Sequence, residues 1–426
     1  MRARLAAFGV AAASWVGAAQ ADGAFPDEMT VLLPIAAPHR ILVGTNFGLA
    51  ISEDDGATWR YACEPHVTGT GADLVSIYQL ALDGAVLAVS VLALSRSADG
   101  GCTWAKAGGA VSGLNILDAF IDPNDATFVL AIAIGASGSG IYPSHDGGIT
   151  FGAALLTTPD RLTGIEIARS TRGVFYATQV HPPGSGPGST QVLRSTDFGA
   201  TWSATVIDAP SGTEARIAAV DPADANIVYL RLLSLASDGI AITTDGGRTV
   251  PPPALSLSGN AVSSFLRATD GTLYAGTLSG DLYVRPLGAA NFTRRAGPHL
   301  RCLGQRRGTS RIYACADGFQ DGFNLGYSDD GAQTLQPLFR FTQLAGLLTC
   351  PAVQNACAAH WELLQLTLGI GETPGPRPVD GGTPSPSASG GSHCAIVGGR
   401  LSSEAAALLV LLAFFLRRGK CCCRSR

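Results

Sequence analysis

The side chains of this chain that could carry chemistry are carboxylates, thiols and imidazoles, and one carboxylate recurs at a fixed place. Ser52, Asp54, Gly56, Thr58 and Trp59 lie in an octet of the form Ser/Thr-x-Asp-x-Gly-x-Thr-aromatic. The octet returns as Ser97, Asp99, Gly101, Thr103, Trp104, then as Ser144, Asp146, Gly148, Thr150, Phe151, and again as Ser195, Asp197, Gly199, Thr201, Trp202. A fifth copy has Thr243, Asp245, Gly247 and Thr249, with Val250 in the aromatic position. A decayed sixth keeps Ser328, Asp330 and Thr334, with Ala332 for the Gly and Leu335 for the aromatic. Neighbouring acids such as Asp54-Asp55 and Asp329-Asp330 could in principle hold a cation or share a proton. The surrounding residues favour a nearer role. An Asp oxygen can accept backbone N–H groups of a tight turn, the Gly can supply a positive φ, and the hydroxyls can close the turn from both sides. The aromatic then buries a large apolar face, worth roughly 2–3 kcal/mol. These aspartates are expected to be structural.

The other candidates form no reactive constellation. The seven histidines (39, 66, 145, 181, 299, 360 and 393) are scattered, and none shows the paired spacing of a zinc hydrolase. No Cys-x-x-Cys occurs outside the terminal Cys421–Cys423 run, so neither a zinc ribbon nor thioredoxin chemistry is indicated. No catalytic, cofactor-binding or metal-binding residue is designated, and no cofactor is expected. Arg294, Arg295, Arg301, Arg306 and Arg307 make the main basic cluster, read as a solvated face, with an acidic glycan or surface polymer as the alternative ligand. The net charge of −4 gives no footprint for nucleic acid.

The octets imply the elements that carry them. Their aspartates stand at steps of 45, 47, 51, 48 and 85 residues, and the last step is about twice the others, so one unit lacks its octet. Asp281 to Phe292 occupies that place, which makes seven units. Each unit carries a β-branched or aromatic run ahead of the octet, such as Val86–Ser90, Thr127–Ala131 or Asn226–Leu230, bounded by turn residues. Four strands in a unit of 40–50 residues, repeated in series, specify a β-propeller. The expected fold is all-β, with seven four-stranded antiparallel blades and the octet in the hairpin between third and fourth strands.

The octet resembles the Asp-box, or BNR, repeat of sialidases, sortilin-type receptors, xyloglucan-degrading hydrolases and the photosystem II assembly propeller. The resemblance covers residues 30–340 and implies that the octets lie at the blade periphery, away from the ligand face. The sialidases of that group also need three substrate-gripping arginines, a Tyr nucleophile beside a Glu, an Asp acid/base, and a Phe/Tyr-Arg-Ile-Pro segment. His39-Arg40-Ile41-Leu42 lacks the aromatic and the Pro and reads as a plain strand start. Tyr176 with Glu166 or Glu214 is a possible Tyr–Glu pair without a supporting pattern. The expectation is a non-catalytic binding module for a protein or glycan. The alternative is a sialidase-like or other glycoside hydrolase with unrecognised catalytic residues.

The two ends read as addresses. Arg2 and Arg4, an apolar stretch, and Ala19-Gln20-Ala21 have the form of a secretory signal over residues 1–21. The propeller is expected over 22–370. Residues 371–393 are mostly Gly, Pro, Ser and Thr and form a tether. Segment 394–426 holds Cys394, twelve apolar residues from Ala405 to Leu416, and a basic close. A twelve-residue helix spans about 18 Å, short of a hydrocarbon core of about 30 Å. This order resembles the C-terminal sorting tails of myxobacterial surface proteins, which implies cleavage near Cys394 and a lipid anchor there; a single membrane span is the alternative. The protein is expected to be a monomer at the cell surface. Cys63, Cys102, Cys302, Cys315, Cys350 and Cys357 behind a secretory signal suggest disulfides. Pairings 302–315 and 350–357, with 63–102 as the remainder, are expected, and free buried thiols are the alternative. Cys350 to Gly369 fits either a strand or a helix, packed on the last blade.

Overall fold

The computed structural model describes residues 28–371, apart from 71, 72, 137 and 183–187. The expected signal segment, most of the tether and the sorting tail, Cys394 included, lie outside the described residues. The protein is a seven-bladed β-propeller of four-stranded antiparallel blades. Blade one comprises Glu28–Leu32, Ile41–Thr45, Gly48–Ser52 and Trp59–Cys63; blade two Val75–Leu80, Val86–Ser90, Leu94–Ser97 and Ala105–Lys106. Blade three is Asn115–Ile121, Val129–Gly135, Gly138–Ser144 and Leu156–Thr158; blade four Arg161–Ile167, Phe175–His181, Ser189–Ser195 and Ser203–Val206. Blade five is Glu214–Val220, Val228–Leu233, Ser237–Thr243 and Leu255–Ser258. Blade six is Val262–Arg267, Leu273–Thr277, Asp281–Arg285 and Thr293–Ala296, and blade seven Leu300–Gln305, Ile312–Ala316, Leu325–Ser328 and Gln336–Phe339. Blade six is the unit without an octet.

The second strands are buried end to end in blades one, two, six and seven. A neighbouring blade covers each face, which is why these strands are continuous apolar runs and not alternating ones. Apolar clusters fill the spaces between blades; Leu87, Val89, Ile116, Ala119 and Val129 form the one between blades two and three.

The first strand of every blade carries a register shift against the second, at Glu28/Thr30, Val75/Ile77, Ile116/Asp118, Leu162/Gly164, Ile217/Ala219, Val262/Ser264 and Leu300/Cys302. A bulge adds local twist and leaves one residue outside the ladder. In two blades the extra residue uses its hydroxyl to reach the next blade: Thr163 donates to the Ala215 carbonyl at 2.7 Å, and Ser263 donates to that of Leu300.

Each blade is made from consecutive residues, so blades one and seven meet at a packed seam and share no sheet. Trp59 stacks on Phe339 there, with ring centroids 4.1 Å apart. The buried Arg306 guanidinium donates to the carbonyls of Pro34 at 2.7 Å and Arg40 at 3.0 Å. After blade seven the chain crosses to blade one, where Leu344–Leu347 pairs parallel to Trp59–Cys63.

Cys350 to Gly369 resolves as a helix, Pro351–Leu368, with Pro at its first turn and Gly369 ending it at φ 65°. It packs on the outer strand of blade one, not on the last blade as expected. That placement corrects two cysteine pairings. Cys350 precedes the helix and Cys357 lies two turns along it, about 10 Å away along the axis, beyond the reach of a disulfide. The bonds run instead from Cys63 to Cys357 and from Cys102 to Cys350, with Cα separations of 5.5 and 5.8 Å. Cys302 and Cys315 are direct partners on adjacent antiparallel strands and are bonded as expected.

Candidate functional site

All six octets occupy the turn between third and fourth strands. In the first, Asp54 Oδ1 accepts the Thr58 N–H at 2.8 Å and Oδ2 the Thr58 hydroxyl at 2.7 Å, while the Ser52 hydroxyl donates to Asp54 at 2.8 Å. The Gly56 N–H closes the turn on Ser52 Oγ at 2.8 Å. The same set recurs around Asp99, Asp146, Asp197, Asp245 and Asp330. Gly56 and Gly148 take φ of 93° and 89°, and in the decayed copy Ala332 is held at φ 59°, where an L-residue is disfavoured. Partial burial works upward on Asp146, but the Thr150 hydroxyl and N–H hold its carboxyl down to about 2. The tryptophans add a bond that the spacing did not suggest: Nε1 of Trp59, Trp104 and Trp202 donates to the carbonyl of the octet glycine at 2.9, 3.2 and 3.0 Å. The carboxylate oxygens of the octets are thus engaged within their own turns.

The inner strands converge on a central channel and point two carboxyls into its wall. Asp118 of blade three accepts the Ile165 N–H of blade four at 3.0 Å. Glu166 of blade four accepts the Val220 N–H of blade five at 2.9 Å. Gln79 of blade two repeats the device on blade three, taking the Ile121 N–H at 3.1 Å and donating to the Ala119 carbonyl. Each is an inner-strand side chain that satisfies a backbone group of the next blade. Burial pushes Asp118 up to about 7 against the pull of the Ile165 and Ala119 N–H groups. Burial likewise pushes Glu166 up to about 8, with the Val220 N–H opposing and the negative charge of Asp118 adding to the rise. Asp118 was not singled out in the sequence; the available signal was one acid within the otherwise apolar run Ile116–Ile121.

Because these carboxyls have raised pKa values in the fold, the stability they support is fully present below the usual carboxylate pKa, near 4. It is lost as pH rises toward 8 and both groups ionise inside the wall. Glu166→Gln keeps an acceptor for Val220 and removes the charge. The variant is expected to match the parent in thermal unfolding at pH 5 and to exceed it at pH 8.5, by about 1–3 kcal/mol. Identical profiles from pH 4 to 9 for the two proteins would refute this assignment.

The end of the channel where the inner strands finish opens into a cavity of about 540 Å³ with residues from all seven blades in its wall. Leu33, Leu80, Phe120 and Leu266 give it apolar surface, with Ile35 and Leu82 exposed at its edge. Arg169, Arg267 and Arg307 also line it. Arg267 is already paired with Asp221 at 2.8 Å. The octet turns lie outside this mouth at the same axial end, where His39 Nδ1 meets Asp55 at 2.5 Å and Arg40 pairs with Glu53. At the opposite end Glu214 is clamped by Arg161 at 2.5 Å and Arg216 at 2.8 Å.

Tyr176 is the direct ladder partner of Glu166. Its hydroxyl donates to the Ala225 carbonyl at 2.7 Å, and burial raises its pKa. The arginine cluster also separates in three dimensions. Arg294 pairs with Asp281, Arg301 with Asp317, Arg306 is buried at the seam, and Arg307 lines the cavity. Among the described residues no group of three or more His, Cys, Asp or Glu could hold a metal ion, and no helix is long and apolar enough to cross a membrane.

No family model and no curated protein matches the chain. Among solved structures it is similar to YCF48 from Cyanidioschyzon merolae, at 14% identity over 68% of this chain and 92% of that one, with a TM-score of 0.47. It is similar also to PorZ, an essential bacterial surface component of the type-IX secretion system of Porphyromonas gingivalis, at 11% identity over 74% of this chain and 38% of that one, TM-score 0.48. A third likeness is to an ancestral GH74 enzyme, at 17% identity over 62% of this chain, TM-score 0.44; the chain spans 37% of that enzyme's length. Each is a likeness of fold.

Proposed function

We propose that this is a secreted Asp-box propeller, displayed at the cell surface through its C-terminal tail, that binds a protein or glycan without transforming it. The observation that carries the proposal is the cavity of about 540 Å³ walled by all seven blades, with apolar surface and arginines at one mouth. Concave apolar sites with a few convergent polar groups are the usual form of a binding site, and guanidinium groups favour an acidic ligand. Three disulfides among the described residues support an oxidising compartment.

A glycoside hydrolase is the second reading, and the observation that favours it is the pair Asp118 and Glu166, whose raised pKa values suit a general acid. The hydrogen bonds from Ile165 and Val220 give both carboxyls a structural use, which supports the binding reading. The test is to pass the purified chain over a glycan array, an acidic peptide library and a panel of fluorogenic glycosides. Binding is expected, with Arg169→Glu/Arg307→Glu weakening it at least about tenfold, the effect of losing two charge-assisted contacts. Glycoside turnover that disappears in Glu166→Gln would overturn the proposal in favour of the hydrolase.

A further inference from the structure

The C-terminal helix Pro351–Leu368 has two apolar stripes, and the described residues of its own chain cover only one. Val353, Cys357 and Leu364 are buried against blade one. On a flank about 120° round the helix from that face stand Ala352, Ala356, Ala359, Leu363 and Leu366, at steps of four, three, four and three, which is the spacing of a coiled-coil seam. Leu363 is 52% exposed and Leu366 73%. Ala356 and Ala359 are exposed as well.

We propose that this face is covered by the same helix of a second copy of the chain, packed antiparallel about a twofold axis beside position 361. The order of the seam argues for this occupant. Small residues fill its first half and large ones its second. An antiparallel twofold sets Ala356 against Leu366 of the other copy and Ala359 against its Leu363, and the reciprocal layers follow by symmetry. Every layer then pairs one small with one large side chain, so the helices can approach evenly, at about 8 Å between axes. A parallel pair would put Ala on Ala at one end and Leu on Leu at the other. Charge offers little opposition, since Glu362 is the helix's one acid and the helix carries no Lys or Arg. The contact is small, so the dimer belongs to the weak class, with a dissociation constant of about 10–500 μM.

Sedimentation equilibrium of the full chain between about 1 μM and 1 mM tests the proposal across that range. A monomer–dimer equilibrium is expected, abolished by Leu363→Glu/Leu366→Glu with an unchanged unfolding midpoint. Cysteine cross-linking reads the register. With Cys394, Cys421, Cys422 and Cys423 replaced by serine, Ala356→Cys mixed with Leu366→Cys should give a disulfide-linked mixed dimer, and neither variant alone should link. A chain that stays monomeric to 1 mM, association that survives the double glutamate variant, or self-linking of Ala356→Cys would each overturn the proposal.

Discussion

Replacing Cys63, Cys357, Cys102 and Cys350 together with alanine is expected to remove most of the protein's stability, whereas Cys302→Ala/Cys315→Ala leaves a folded propeller. The first two bonds join residues 294 and 248 positions apart and tie the C-terminal helix to blades one and two. The third closes a separation of 13 within one blade. Loop-closure entropy makes a long-range bridge the more stabilising, typically by about 2–4 kcal/mol each, so the two together approach a sizeable part of a net stability of about 5–15 kcal/mol. Blades one and seven share no strand, so the helix and its two bonds are the covalent restraint on the ring. Denaturant titration of the two variants checks this. A four-cysteine variant no less stable than Cys302→Ala/Cys315→Ala would show that the seam holds the ring without the helix bonds.

Trp59→Ala is expected to cost about 3–5 kcal/mol, the range for deleting a large buried aromatic. Trp59 is 1% exposed, lies on Phe339 across the seam, and satisfies the Gly56 carbonyl. Trp104 and Trp202 hold the same octet position but are only half-buried, so Trp202→Ala should cost clearly less. Equal losses of unfolding free energy for Trp59→Ala and Trp202→Ala would mean that the octet turn, and not the seam, sets the value of the indole.

These effects follow from contacts between distant parts of the chain, and such contacts were hard to read from residue order. The octets were legible because their chemistry is local: Asp54 bonds residues four positions away, so its neighbours had to be Ser52, Gly56 and Thr58. Repetition then supplied the blade count, and the 85-residue step located blade six without an octet of its own. The Cys302–Cys315 bond was legible for a related reason, since it joins two successive strands. Cys63 and Cys102 gave no such clue, because their partners lie on a helix that returns from the end of the propeller. Asp118 and Glu166 were obscured in the same way. Each serves a backbone N–H on the following blade, about 50 residues on, and no local pattern marks a carboxyl recruited to that use. The inner-strand bulges likewise depend on the curvature of the whole ring.

The order of the cysteines along the chain has a consequence for maturation. Cys63 and Cys102 emerge early, and their proper partners emerge 294 and 248 residues later. A chain oxidised while it is being made therefore presents these two thiols to each other first, and a premature link between them must be undone before the helix can dock. Refolding of the reduced protein should consequently depend on thiol–disulfide exchange, and a catalyst of disulfide shuffling should speed it more than a simple oxidant does.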